Sequence, residues 1–340
     1  MRKVPSMNKK ILFILPLAVI LLLLVSCGEK FGKDVELPMV DRPMEPSEEE
    51  GIQITPEGVK YLVHPDKLLA GGPPKDGIPS IDNPRFVSVQ EADNWIKDNE
   101  LVLAIAYKGV KRVYPLQIMV WHEIVNDVIA GDSLLITYCP LCGSGIAYER
   151  TLIIDGEKKE VEFGVSGKLY NSNLVMYDRE TGSYWTQIDG RAIVGELTNR
   201  QLKAVSIDTV VWRDWKKAHP DSEVLSQDTG FSRAYGRDPY GNYYETTFVM
   251  FPVENKDDRI HPKTVVFGIE VDGVYKAYTE DELKKVGSIT DTINDVTILL
   301  TRDETGVVKI INKNTNEEIV KERDFWFAWY AFHPETLLYG

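Results

Sequence analysis

The chain repeats itself. The stretch LVLAIAYKGVKRVYPLQI (101 to 118) matches VVFGIEVDGVYKAYTEDE (265 to 282). Val102, Ile105, Gly109, Val110 and Tyr114 recur 164 positions on as Val266, Ile269, Gly273, Val274 and Tyr278. Further along, Asn126-Asp127-Val128 pairs with Asn294-Asp295-Val296 at a slightly different offset, and Leu135-Ile136-Thr137 with Leu299-Leu300-Thr301. Trp212, Trp215, His219 and Pro220 recur as Trp326, Trp329, His333 and Pro334. So many similarities in one order imply two copies of one unit, about 101–225 and 265–340.

The copies differ where chemistry would sit. At the 164 offset, His122 falls on Val286, Cys139 on Asp303 and Cys142 on Gly306. The second copy also lacks the segment from 163 to 187. Shared positions are apolar, Gly or Trp, which serve packing and turns, so the unshared polar residues are the site candidates. The two His-Pro pairs belong to the shared set and read as structural.

Local patterns give the fold class. Ser88 and Glu91 form a capping box that starts a short helix. LVLAIAY and VKRVY read as strands around a Lys108-Gly109 turn. LQIMVWHEIVND has helical spacing, and LLITY is a strand that delivers Cys139. Residues 146–149 and 161–164 read as further strands. Many short strands with a few helices predict an α+β fold, mainly antiparallel sheet with short helices.

The N-terminus predicts export. Arg2, Lys3, Lys9 and Lys10 precede an apolar run from Ile11 to Val25, shorter than the ~20 residues of a membrane span and fitting a signal peptide. Leu24-Val25-Ser26-Cys27 resembles a bacterial lipobox, which implies cleavage before Cys27 and lipidation of its thiol. Residues 27–50, rich in Pro and charge, read as a disordered tether, and 51–340 as one domain of two related units. The expected setting is extracytoplasmic and membrane-anchored through Cys27. The formal charge of −13 argues against nucleic acid as a partner. A small polar ligand or an envelope partner remains open.

Two of the three cysteines sit in TYCPLCGSG, residues 137 to 145. Cys-Pro-x-Cys-Gly after a strand resembles the metal knuckle of zinc ribbons. A structural zinc site takes four ligands, and no second Cys pair exists. His122 is the best third ligand and Glu123 or water the fourth. Zinc or copper fits, because soft thiolates select both, as a carrier or as a cofactor site. Two alternatives stand beside this: an envelope thiol enzyme using Cys139 and Cys142 for redox or nucleophilic chemistry, and a non-catalytic ligand-binding module with the pair closed as a disulfide. Gly143-Ser144-Gly145 favours a loop over the helix that activates a thioredoxin-type thiol. No phosphate loop, dinucleotide fingerprint or Ser-nucleophile motif occurs, so no nucleotide cofactor is expected. A second candidate region is a cleft built from Asn171, Asn173, Tyr177, Asp178, Arg179, Trp185 and Gln187, edged by Tyr235 and Arg237.

Together GGPPKDGIPSIDNPRF, VYPLQIMVWHEIVND, TYCPLCGSG, FGVSGKLYNSNLVMYDRETGSYWTQ and YGRDPYGNYY resemble domain of unknown function family 3179 over roughly residues 60 to 290. The resemblance implies that His122, Glu123, Cys139 and Cys142 are characteristic positions. It implies no established activity.

Overall fold

The computed structural model describes residues 51–340. The leader, Cys27 and the tether lie outside the described residues. The described chain is mostly antiparallel sheet with five short α-helices. These are α1 Val89–Ala92, α2 Leu116–His122, α3 Trp212–Ala218, α4 Glu280–Val286 and α5 Trp326–Phe332, each of 4 or 7 residues. Helices this short form no layer of their own, so the architecture is sheet-rich, a coarser description than the α+β expected. The capping box at Ser88 and Glu91 is present at the start of α1.

The two stretches have the same element order and the same pairing register. Leu101–Tyr107 pairs Val110–Pro115 with Leu103 opposite Tyr114, and Val265–Val271 pairs Val274–Thr279 with Phe267 opposite Tyr278. A helix follows in each case, α2 and α4. Then Ile124 faces Thr137 in one hairpin and Ser288 faces Thr301 in the other. Late in each copy a strand returns to the first hairpin, Asp208 opposite Ala104 and Glu322 opposite Gly268. The rare parallel pairings also match, Val113 with Val224 and Ala277 with Leu338.

The same side-chain contacts recur. Arg112 and the Tyr114 hydroxyl both bind the Asp127 carboxylate, and Lys276 and the Tyr278 hydroxyl both bind Asp291. In α3 and α5 the indoles of Trp215 and Trp329 donate to Ser222 (3.0 Å) and Thr336 (2.9 Å). His219 and His333 each lie 4.2 Å, ring to ring, from those indoles.

Two sequence expectations need correction. LQIMVWHEIVND is not one helix: α2 ends at His122, and Ile124–Ile129 is a strand. Glu123, at φ 59°, is the left-handed residue that ends it, a place where glycine is usual. The pairing of Asn126-Asp127 with Asn294-Asp295 also fails. Asn126 and Asp127 lie within a strand, whereas Asn294 and Asp295, both at positive φ, form a hairpin turn. Structurally Asp127 corresponds to Asp291, and the turn corresponds to Ala130-Gly131.

Asp132–Cys139 is buried from Ser133 onward because both faces of its sheet are covered. Leu135 and Cys139 face one apolar cluster with Phe163 and Trp185, while Leu134, Ile136 and Tyr138 face another with Leu103 and Met119. That explains why LLITY reads as a continuous apolar run rather than an alternating one.

Candidate functional site

Cys139 ends its strand, and Pro140 to Gly143 turn the chain into Ser144–Glu149. The turn is tight: the Cys142 N–H donates to Cys139 O at 3.1 Å, and Gly143 adopts φ 61°. A Cβ on Gly143 would come within 2.8 Å of the Phe325 ring, so this position needs glycine for both conformation and space. Tyr243 donates to Leu141 O at 3.0 Å and roofs the turn. Lys263 holds that roof by donating to the carbonyls of Tyr243, Thr246 and Phe248.

Both thiols are free and buried. The Cys142 thiol points toward Ser172 O (3.5 Å) and accepts from Asn173 Nδ2 (3.4 Å), so the turn faces the segment absent from the second copy. Asn173 also donates to Gln187 Oε1 at 2.8 Å, and Gln187 donates to Thr137 Oγ1 at 3.0 Å. Burial pushes the Cys142 thiol well up, reinforced by a hydrogen bond with Cys139 and by the nearby Asp324, against a smaller opposing effect of Asn173.

The strand Glu322–Phe325 brings carboxyls to the same place, with Phe325 N–H donating to Cys142 O at 2.8 Å. Both carboxylate oxygens of Asp324 and one of Glu322 are buried without a partner in hydrogen-bonding geometry among the described residues. Burial raises both groups, and Asp189 adds to the effect; Ser144 and Arg323 offset part of it at Asp324. None of these acids figured in the sequence reading. A signal existed: residue 324 falls on Val210 of the first copy, so it is itself an unshared polar position.

His122 is fully buried with both ring nitrogens engaged, Nδ1 with Pro79 O at 2.8 Å and Nε2 with the Tyr235 hydroxyl at 2.6 Å. Burial lowers its pKa, so the ring is neutral at pH 7. No group of three or more His, Cys, Asp or Glu side chains among the described residues is arranged to hold a metal ion. Cys139, Cys142, His122 and Glu123 are therefore not gathered as one ligand set.

The residues expected to line one cleft separate. Asn173 and Gln187 join the thiol network. Asp178 accepts the Trp185 indole (2.9 Å) and the Thr181 N–H (2.6 Å), which closes a turn. Tyr177 donates to Asp76, and Arg179 pairs with Asp82 and Glu162. Asn171 links Glu254 N–H to Ala331 O, Tyr235 caps His122, and Arg237 is exposed. A cavity of about 440 Å³ lies elsewhere, beside the turn, lined by Tyr138, Gly143, Asp238, Tyr244, Arg323 and Phe325 among others.

The family model described as "Protein of unknown function (DUF3179)" matches residues 75–320, and the chain belongs to that family. No curated protein and no solved structure matches it.

Proposed function

We propose that this member of the DUF3179 family is an exported, lipid-anchored protein that holds copper(I) between the thiolates of Cys139 and Cys142. The observation that carries the reading is a pair of buried, free thiols in one tight turn, beside the buried carboxyls of Asp324 and Glu322. That surrounding penalises a bare thiolate and favours a cation, whose charge would offset both the sulfurs and the acids. Soft sulfur donors select copper(I), which is satisfied by two of them. Structural zinc takes four ligands, and both ring nitrogens of His122 are already engaged, so one would have to give up its partner to supply one. A nucleophilic or redox thiol works through a lowered pKa, and Cys142 is displaced the other way. Anchoring rests on the leader and on Cys27.

The test is anaerobic copper(I) titration against a competing chelator. One equivalent should bind, and Cys139→Ser or Cys142→Ser should each weaken it by at least a hundredfold, while His122→Ala leaves it unchanged. Undiminished binding in either serine variant would defeat the reading. Cys27→Ser should abolish lipidation and release the protein from membranes.

The cleft of about 440 Å³ supports a second reading, a small-ligand module, since its size falls in the usual range for such sites. A metal-free protein with Cys139 and Cys142 closed as a disulfide would favour it.

A further inference from the structure

Glu123 occupies an improbable position. Its residue exposure is 6%, yet its carboxyl has neither a hydrogen bond nor an ion pair among the described residues. Its backbone is left-handed, φ 59°, which costs any residue but glycine. The second copy has Gly287 at the equivalent helix end, φ 75°. The fold thus needs only glycine here, and the first copy keeps a carboxylate at a double cost, in backbone strain and in lost solvation.

The carboxyl borders a cavity of about 110 Å³ whose other walls include Leu141, Leu174, Tyr240 and Phe251. Glu123 is its one acidic group. Lys168 also borders it but does not neutralise Glu123, whose pKa is displaced by burial alone.

We propose that this cavity binds a short primary alkylammonium, with the cationic head on the Glu123 carboxylate and the chain against Leu141, Leu174 and Phe251. Apolar walls suit an alkyl chain, and a buried carboxylate without a partner is completed by a cationic hydrogen-bond donor. The formal charge of −13 raises the local concentration of cations around the protein. The volume is below that of drug-sized pockets, which restricts the ligand to a short chain. This site adjoins the Cys139–Cys142 turn through Leu141 but does not depend on copper being bound there.

Calorimetric titration of the detergent-purified full chain with n-butylammonium chloride at pH 9, where Glu123 is ionised and the amine is still a cation, tests the proposal. Saturable one-to-one binding is expected, with n-butanol and n-butyrate at least tenfold weaker. Glu123→Gln, of the same shape, should weaken n-butylammonium at least tenfold while leaving the thermal melt cooperative. Phe251→Ala, at the half-buried edge of the cavity, should shift preference toward n-hexylammonium, which keeps the test available if the Gln variant does not fold. No saturable binding to the wild type, equal binding of n-butanol, or undiminished binding in a folded Glu123→Gln would each overturn it.

Discussion

The two copies can be compared residue by residue, because their hairpins pair in one register across an offset of 164. Where they agree, the side chains pack or satisfy one another: a Tyr and a basic residue on a buried Asp, and a Trp indole on a hydroxyl. Where they disagree, the second copy has the locally comfortable solution. Its helix ends on Gly287, and the first copy ends on Glu123. Its turn begins with Asp303, whose carboxylate accepts the N–H groups of Thr305 (2.9 Å) and Val307 (3.1 Å). The first copy has Cys-Pro-Leu-Cys there, with a thiol turned into a polar network supplied by the inserted segment. The lesson is that one unit serves as scaffold twice, and that the proposed chemistry rests on the places where the first copy departs from the comfortable solution.

The largest expected effect tests the shared part. Asp127→Ala should cost about 3–5 kcal/mol in urea unfolding, because it strands the fully buried Tyr114 hydroxyl and takes from Arg112 its buried carboxylate partner, leaving only Glu223 and the Val128 carbonyl. Asp291→Ala should cost less, about 1–2 kcal/mol, since its side chain is 17% exposed against 3% for Asp127. Equal losses would break the distinction between a dry first copy and a wetter second one.

The next test strikes the difference. Glu123→Gly should stabilise the protein by about 1–2 kcal/mol at pH 5 by removing left-handed strain. The gain should grow as pH rises. Burial lifts the folded-state pKa of Glu123 from 4.5 to about 8, so between those values the native state keeps a proton that the unfolded chain has lost. Wild-type stability therefore falls across that window, and the glycine variant escapes that fall. A gain that does not change between pH 5 and 8 would mean that Glu123 is ionised in the folded protein.

The smallest effects should match. Trp215→Phe and Trp329→Phe each remove an indole hydrogen bond to a buried hydroxyl. Each should cost about 1–2 kcal/mol, agreeing within about 0.5 kcal/mol. A clear inequality would show that the resemblance between α3 and α5 ends at geometry.

The repeat was legible in the sequence because Val102, Tyr114, Trp215 and their partners are fixed by packing, which leaves a periodic trace. Asn126-Asp127 and Asn294-Asp295 misled because identical letters served different ends, strand contacts in one case and left-handed turn residues in the other. The juxtaposition of the Cys139–Cys142 turn with the inserted segment was legible. The contacts of His122 were not, since its nitrogens are engaged by Pro79 and Tyr235, 43 and 113 positions away, and no local pattern encodes such partners. Asp324 was overlooked because scaffold and site were sorted in the first copy alone. It reaches the thiols on a strand of the second copy, through pairing that only the folded chain reveals.

The central claim is that the first copy departs from its twin in order to hold a metal with two sulfurs and no imidazole. X-ray absorption at the copper edge, on anaerobically copper(I)-loaded protein, tests it most directly. The account predicts a first shell of two sulfur atoms, with no nitrogen shell and no change in the spectrum of His122→Ala. An imidazole contribution that disappears in His122→Ala would contradict it.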